Sequence, residues 1–194
     1  QDGRISPKFL HPGPGFGGSC FPKDALALAN TGKKNNVKMN TIEAAIKTNN
    51  EQKLRMVFKL RSLLNNKLKN KTIAVLGLAF KPQTDDIRDA ASTIIIPKLI
   101  KEEAIINTYD PVAMENFKSL KLNINYFNNW EDAVKGADAL LILTEWNEFR
   151  GIDLSKLKFL LKTPIVLDTK NILSIHNLHS LGFKFDNVGR KVIN

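Results

Sequence analysis

The sequence has little sulfur chemistry, since its 194 residues contain a single cysteine, Cys20. One cysteine excludes a disulfide within the chain, and a lone thiol fits a reducing compartment. We therefore expect a cytoplasmic protein with a free thiol. No cluster of cysteine and histidine is visible among the three histidines, so we predict no metal site.

Long apolar runs are also missing. No run approaches the roughly 18 residues that a membrane-crossing helix needs, and no signal peptide is recognisable, so we expect no membrane partner. The first residue is Gln1 rather than methionine. We interpret the chain as a mature product, an engineered piece or a fragment.

Two familiar nucleotide-binding turns are absent where a strand would present them. No predicted strand leads into G-x-G-x-x-G, the turn of dinucleotide-binding domains, and the P-loop pattern G-x-x-x-x-G-K does not occur. Neither turn therefore identifies a nucleotide site.

Acidic residues are outnumbered, with 19 Asp and Glu against 29 Lys and Arg and a formal net charge of +10. Such a charge favours either a polyanionic partner such as nucleic acid or a solvated, lysine-rich surface. The lysines are spread along the chain and are not interleaved with aromatic residues, as in a strand-binding platform. We expect no nucleic-acid partner, and a small phosphorylated ligand, which needs only a few of these charges, is favoured.

The first third of the chain predicts a loop followed by two helices. Residues 1–21 are rich in glycine and proline, and Pro22 suits the first turn of a helix that we expect to stop at "TGKKNN". Asn40 and Glu43 predict a capping pair that opens a long helix, with a polar patch, "TNNEQK", at 48–53. We predict a helical segment over residues 1–66.

From Lys71 onwards, short apolar runs alternate with helical patterns. "KTIAVLG" is a continuous apolar run ending in glycine, which is typical of a buried parallel strand. Pro97 is expected to kink the next helix or to end its first turn. The further predicted strands are "IINTYD", "LNINYF", "ADALLILTEW" and "PIVLDTKN", and the chain ends in a final turn, "KFDNVG". We predict an α/β domain over residues 71–194, with a parallel sheet covered by helices on both faces.

The stretch "GPGFGGSCFPKD" places Cys20 directly before a predicted helix N-terminus. The free N–H groups and the dipole of a helix start favour a thiolate, and Lys23 adds positive charge. Asp24 opposes that effect, and its position is useful if a proton must be moved or a water held. The glycines allow the backbone to approach a ligand closely. A reactive thiol is favoured over the alternative, a small buried cysteine in a turn.

Two loops follow predicted strands at the edge where open parallel sheets bind ligands. In "GLAFKPQTDDIRDAAS", Lys81 and Arg88 could bind a diphosphate, or they could pair with the neighbouring aspartates. In "LTEWNEFRG", the exposed side chains could line a pocket, or they could pack a helix start. The residues alone leave both alternatives open.

Three motifs together, "HPGPGFGGSCFPKD", "VLGLAFKPQTDDIRDA" and "LTEWNEF", resemble the UDP-glucose/GDP-mannose dehydrogenase family. The resemblance covers nearly the whole chain in order and spacing, and "GFGGSCFPKD" with "TEWNEF" favours UDP-glucose. It implies a Rossmann-like fold and an enzyme that oxidises the C6 alcohol of the sugar to a carboxylate, using NAD twice. The sugar aldehyde would be captured on Cys20 as a thiohemiacetal, which becomes a thioester and is hydrolysed.

The resemblance also implies roles for particular residues. Asp24 would hold or activate the hydrolytic water. Lys23 and Arg88 would contact NAD. The residues implied to bind the sugar nucleotide are Arg4, Phe9, Leu10, His11, Pro12, Gly13, Gly17, Phe80 and Lys81.

The chain departs from the family pattern in ways that limit what we expect of it. The family begins with an NAD-binding domain, so this chain is similar to the C-terminal part, with the end of a central helical and dimerisation domain over 1–66 and a UDP-binding domain over 71–194. By itself it should be inactive, and the alternative is a non-catalytic fragment that binds UDP-sugars or dimerises. Because the arginine at the Arg4 position reaches the neighbouring subunit in the family, we expect a homodimer through the long helix. Lys170 stands where the family commonly has arginine, and lysine lacks the two-pronged hydrogen bonding of arginine.

Overall fold

A computed structural model describes residues 10–190 of the chain. Two helices come first, α1 (Phe21–Lys34) and α2 (Asn40–Leu63). Six strands follow: β1 (Thr72–Leu76), β2 (Ile105–Tyr109), β3 (Asn125–Tyr126), β4 (Ala139–Ile142), β5 (Ile165–Asp168) and β6 (Lys184–Asn187). Between them lie α3 (Ala91–Lys101), α4 (Met114–Lys118), α5 (Trp130–Val134), α6 (Asn147–Arg150), α7 (Leu154–Leu160) and α8 (Ile175–Ser180).

The strands form one sheet in the order β3-β2-β1-β4-β5-β6, and every pairing is parallel. This is the strand order of a doubly wound Rossmann-like sheet, in which the direction of winding reverses between β1 and β4. Ligands bind in such sheets at the carboxyl ends of the strands beside that reversal. The predicted fold class is confirmed.

Both faces of the sheet are covered by separate apolar layers. Ile73 and Val75 of β1 lie in the layer that contains α2 and α3, whereas Ala74 and Leu76 lie in the layer that contains α5 to α8. The alternation follows from the two-residue period of a strand. Because both sides of β1 are buried, its apolar run is continuous, as a central parallel strand requires.

The second half of α2 belongs to the same core as the sheet. Met56 and Leu60 are fully buried in the layer with α3, and Lys59 forms a 2.7 Å ion pair with Asp186 on β6. The helix is therefore a rigid support for whatever lies against its first half. None of the helices between residues 10 and 190 combines the length and the apolar content needed to cross a bilayer.

The predictions for the helix ends differ in outcome. Helix α1 ends at Lys34, within the stretch "TGKKNN" where we expected it to stop, and it packs tightly there, since a Cβ at Gly32 would lie 2.4 Å from the Met39 Cγ. The predicted cap of α2 is wrong. Met39, not Asn40, is the N-cap of α2, and no side chain caps the helix.

Two further corrections concern α3 and the last residues of the sheet. Pro97 is an interior residue of α3, and the helix continues beyond it to Lys101, so the expected end of a first turn is wrong, whereas the alternative, a kink, stays a prediction. The predicted final turn, "KFDNVG", contains β6, which extends the sheet beyond β5.

Candidate active site

Cys20 is exposed at the N-cap position of α1, with Pro22 in the first turn of the helix. The predicted placement of the thiol before a helix start is confirmed, and the alternative of a buried cysteine is wrong. The Cys20 Sγ lies 3.8 Å from the Ser19 Oγ. No group of three or more His, Cys, Asp and Glu residues within 10–190 is arranged to hold a metal.

Lys23 and Asp24 lie in the first turn of α1 and are both exposed. Their charged atoms are 3.5 Å apart, and their side chains are 76% and 68% accessible. Exposed pairs of this kind add little to stability, so both side chains can turn towards a ligand at small cost.

Two glycines press the loop that carries Cys20 against the loop between β1 and α3. The Gly18 N–H donates to the Arg88 carbonyl at 2.8 Å. A Cβ at Gly17 would lie 2.5 Å from the Asp89 carbonyl oxygen, and one at Gly18 would lie 2.7 Å from the Phe80 ring. Gly18 also has φ +84°, which disfavours any other residue. Two predicted motifs that are about 70 residues apart in the chain are thus in direct backbone contact.

The cations of the second loop differ in their partners. Arg88 donates two hydrogen bonds to Asp86, from Nε at 2.9 Å and from Nη2 at 2.7 Å. The hydrogen bonds from Arg88 hold the pKa of Asp86 below its ordinary value, and Asp86 raises the pKa of Arg88, with a smaller attraction from Cys20. Lys81 lies with its Nζ 5.3 Å from the centroid of the Phe80 ring and forms no ion pair with a described residue. Lys81 is therefore the cation of this loop that is open to an anionic ligand.

Asp110, at the end of β2, organises the turn after β1. Its Oδ2 accepts from the N–H groups of Leu78 (2.7 Å) and Ala79 (3.2 Å) and from the Trp146 indole (3.1 Å). Its Oδ1 accepts from the N–H groups of Val112 (2.9 Å) and Ala113 (2.8 Å). In a dinucleotide-binding turn the N–H groups after the first strand would face a phosphate. Here the buried carboxylate takes two of them, so this turn is not a phosphate cradle.

Trp146 and Lys170 lie at the same edge of the sheet. Trp146 is buried and is the N-cap residue of α6, so it packs the helix start and does not line an open pocket. Lys170 follows β5, and its Nζ lies 2.9 Å from the Glu145 Oε2. The two side chains therefore form an ion pair, although no described group donates a hydrogen bond to the Glu145 Oε2.

The loop from Leu10 to Gly13 reaches the ends of β5 and β6, where Gly13 lies near Lys170 and Pro12 near Gly189. Leu10, His11 and Pro12 are exposed, and the Gln52 amide donates to the Gly13 carbonyl at 3.0 Å. A Cβ at Gly13 would lie 3.9 Å from the Lys170 side chain. Of the predicted site residues, Arg4 and Phe9 lie outside the described residues.

Gly13, Gly15 and Gly18 have the spacing G-x-G-x-x-G and precede α1. Among residues 10–190 no strand leads into them, and they pack against Lys170, Asn49 and Phe80 respectively. Their spacing therefore serves contact with protein side chains, and it does not form a dinucleotide turn.

Sequence reasoning missed the residues that hold these loops. Asn49 and Lys53 on α2 and Asp110 after β2 are buried polar residues that bind loop backbone. The first two lie in the polar patch at 48–53, one helical turn apart. Polar side chains that share a face with buried apolar residues were the available indication.

Among residues 10–190, two of the open surface depressions bear on the location of the site. One, of about 370 Å³, adjoins Arg88 and is lined by Asp85, Asp86, Ile87, Arg88, Asn116 and Ser119. The other, of about 480 Å³, lies beside α7 and α8 and contains none of the predicted site residues. The convergence of the predicted residues, and not the larger volume, identifies the candidate site.

Comparison with known families gives two matches. Residues 74–175 match the UDP binding domain of the UDP-glucose/GDP-mannose dehydrogenase family, and residues 1–51 match the central domain of the same family. The two matches flank the second half of α2, and together they include both loops that meet at the site.

Similar whole sequences and structures carry related names. A UDP-glucose 6-dehydrogenase of Rhizobium meliloti (strain 1021) is 41% identical over 97% of this chain and 43% of its own length. One of Rickettsia bellii (strain RML369-C) is 42% identical over 98% of this chain and 44% of its own length. A UDP-glucose dehydrogenase structure from Pyrobaculum islandicum is 31% identical, with a TM-score of 0.76 over 88% of this chain and 38% of that chain. The chain thus spans less than half the length of these relatives.

Proposed function

Because this chain belongs to the UDP-glucose/GDP-mannose dehydrogenase family, we propose that it forms the UDP-sugar site and the reaction-centre cysteine of an NAD-dependent UDP-glucose 6-dehydrogenase. The observation that carries the proposal is the direct packing of the Cys20 loop on the loop of Phe80, Lys81 and Arg88. An exposed thiol at a helix start is thereby carried by a loop that packs on the Phe80 ring, and Lys81 follows Phe80 in the chain. The relatives named UDP-glucose 6-dehydrogenase support the choice of sugar.

The sugar nucleotide would lie along the carboxyl edge of the sheet. Lys81 would supply charge to the diphosphate, since it forms no ion pair among residues 10–190 and has only a longer-range attraction to Asp86. The loop from Phe9 to Gly13, with Gly17, would contact the nucleotide and sugar, and Phe80 would pack against the ligand. Lys170 stands beside Gly13 and would add a single charged contact in place of the usual arginine.

Cys20 would act on C6 of the sugar. The Sγ thiolate adds to the C6 aldehyde, a C–S bond forms, and the aldehyde oxygen takes a proton, which gives a thiohemiacetal. Oxidation of that adduct gives a thioester on Sγ. Water then attacks the thioester carbonyl and the thiolate leaves, so that the carboxylate is released and Cys20 is regenerated. Asp24, one helical turn from Cys20, would hold that water or accept its proton.

NAD, when bound, supplies the oxidising power for the two steps at C6. Lys23 and Arg88 would contact NAD through their charge, and each would have to turn from its carboxylate partner, Asp24 or Asp86, to do so. The turn after β1 does not fit as the cradle of NAD, since Asp110 takes those N–H groups. We therefore propose that this sheet binds the sugar nucleotide, and that the chain alone does not oxidise it.

We also propose that the chain forms a homodimer through α2. The support is apolar side chains that the helices leave in solvent: Leu26 and Leu28 on α1 are 51% and 45% exposed, and Phe58 on α2 is 60% exposed. Sedimentation equilibrium should show a dimer that Phe58→Glu weakens. A wild-type monomer at high concentration would contradict it.

Calorimetric titration with UDP-glucose tests the binding site, with GDP-mannose and NAD as comparison ligands. We expect saturable binding of UDP-glucose, weaker binding of GDP-mannose, and none of NAD. Lys81→Ala should weaken UDP-glucose binding by about 1–3 kcal/mol, as expected for loss of a charged hydrogen-bond donor. Lys101→Ala, on the exposed end of α3, is the matched control and should leave the affinity unchanged. Equal affinities of the two variants would contradict the role of Lys81.

Because Cys20 is the only cysteine, its alkylation by iodoacetamide reports on one position without ambiguity. Saturating UDP-glucose should slow that alkylation, while GDP-mannose should not. Binding without protection of the thiol would instead support the alternative, a non-catalytic UDP-sugar-binding module. In a complete dehydrogenase that contains this chain, Cys20→Ser should abolish acid formation and leave UDP-glucose binding intact.

A further inference from the structure

Two polar side chains on α2 are buried where a helix surface normally carries solvated residues. Asn49 and Lys53 are 9% and 3% exposed, and they are one helical turn apart on the same face. Burying a polar group is unfavourable in free energy unless the group is hydrogen-bonded, so each of these side chains should have a partner that offsets its desolvation. Both partners are backbone atoms of the two loops that form the candidate site.

Asn49 binds the Cys20 loop through both ends of its amide. Its Oδ1 accepts from the Phe16 N–H at 2.7 Å, and its Nδ2 donates to the Phe16 carbonyl at 3.1 Å. Gly15, with φ +112°, lets the loop approach so closely that a Cβ there would lie 2.8 Å from the Asn49 Oδ1. An amide side chain offers one donor and one acceptor at this spacing, which matches the N–H and C=O of a single residue.

Lys53 binds the opposing loop. Its Nζ donates to the Asp89 carbonyl at 2.9 Å, and its side chain lies against Gly15. That same Asp89 carbonyl is the atom against which Gly17 packs. Burial lowers the pKa of Lys53, although the nearby charge of Asp89 acts to raise it.

We infer that Asn49 and Lys53 are positioning residues, which fix the Cys20 loop and the Phe80–Arg88 loop against each other from the surface of α2. Asn49 holds the first loop, Lys53 holds the second, and Gly15 and Gly17 lie between them. Since the second half of α2 is anchored in the core, the helix provides a fixed reference for both loops. The catalytic role of Cys20 rests on the proposed function. The contacts by which Asn49 and Lys53 hold the two loops do not depend on it.

The test uses amide hydrogen exchange on the whole chain, with three variants. Asn49→Ala removes both hydrogen bonds, so the Phe16 amide should exchange at least tenfold faster while the amides of β1 and β4 stay protected. Asn49→Asp keeps an acceptor for the Phe16 N–H, so Phe16 should remain largely protected. Asn50→Ala is the matched control, since Asn50 is the adjacent, exposed residue. It should change neither the exchange rate of the Phe16 amide nor the protection of the amides of β1 and β4.

The second measurement tests whether the positioning of the loops by Asn49 affects ligand binding. Asn49→Ala should weaken UDP-glucose binding at least tenfold and remove the protection of Cys20 from iodoacetamide. Asn49→Asp should recover part of the affinity and part of the protection. If the wild-type chain binds no UDP-glucose, the proposed function fails, and hydrogen exchange still decides the positioning role. Unchanged exchange at Phe16 in Asn49→Ala would overturn the inference. If Asn49→Ala does not fold, loss of Phe16 protection in Asn49→Asp would overturn it equally.

Discussion

Replacing Asp110 by asparagine removes one acceptor oxygen from a fully buried carboxylate that serves five donors. The side chain keeps its volume, so the change isolates hydrogen bonding from packing. The amide oxygen is best placed where Oδ2 stood, since that oxygen accepts from three donors. The new NH2 group then faces the N–H groups of Val112 and Ala113, donor against donor.

Loss of two hydrogen bonds to a charged acceptor lowers the free energy of unfolding by about 3–6 kcal/mol if the surrounding structure does not relax. Val112 is half exposed, so its N–H can turn towards water and recover part of that loss. We therefore expect Asp110→Asn to lower the free energy of unfolding by about 2–4 kcal/mol, against typical single-site effects of about 1 kcal/mol.

The matched control is Asp153→Asn, the same substitution at the N-cap of α7. Asp153 uses only Oδ1, which accepts from the N–H groups of Ser155 and Lys156, and asparagine keeps that atom. Since Asn and Asp cap helices about equally well, this variant should stay within about 0.5 kcal/mol of the wild type. Urea unfolding of the three proteins, with equal m-values, measures the difference. A cost below about 1 kcal/mol for Asp110→Asn would refute the assigned role of Asp110.

Three further predictions concern the loops. Gly17→Ala should lower the free energy of unfolding by about 1–3 kcal/mol through overpacking against a backbone carbonyl. Gly151→Ala should be near neutral in the same thermal unfolding assay, since a Cβ there would lie 3.7 Å from the nearest atom, the Glu148 carbonyl oxygen. Burial lowers the pKa of Lys53 in the folded state below its ordinary value of 10.5, so at pH values between the folded and unfolded pKa the unfolded chain binds more protons. The free energy of unfolding of the wild type, relative to that of Lys53→Met, should therefore rise with pH in this range. A difference between the two proteins that does not change with pH would contradict this. Arg88→Ala should raise the pKa of Asp86 towards 3.8 in an NMR titration, and no change would mean that the pair does not form in solution.

The alternation of buried strands and helices was predictable because each central strand is apolar on both sides. "KTIAVLG" and "ADALLILTEW" have no polar face, and only a parallel sheet covered on both faces buries such runs. Strand β6 was missed because "KFDN" is short and carries two charged residues, with Lys184 exposed. Strand β6 forms because it pairs with β5, and the local sequence pattern gives no indication of that pairing.

The candidate site divides in the same way. Cys20 before a helix start is a local feature, and Pro22 with the preceding glycines was enough to place it. The partner of Arg88 was one of two open alternatives, and Asp86 is close enough in sequence to have been considered. For Trp146, by contrast, the residues left open whether it lines a pocket or packs a helix start. It is buried at a helix start, and its indole donates to Asp110, which follows β2 and is 36 residues away.

By itself, the sequence determined the class of fold, the position of the thiol at the start of a helix, and the family. These depend on residue patterns within a few turns of chain, where hydrophobic period, glycine and proline act directly on the backbone. Only the tertiary structure decided which polar residues matter: Asn49, Lys53 and Asp110 look like ordinary solvated side chains until distant backbone atoms are brought to them. Burial turns each into an obligatory hydrogen-bond partner, and burial is a property of the folded chain as a whole.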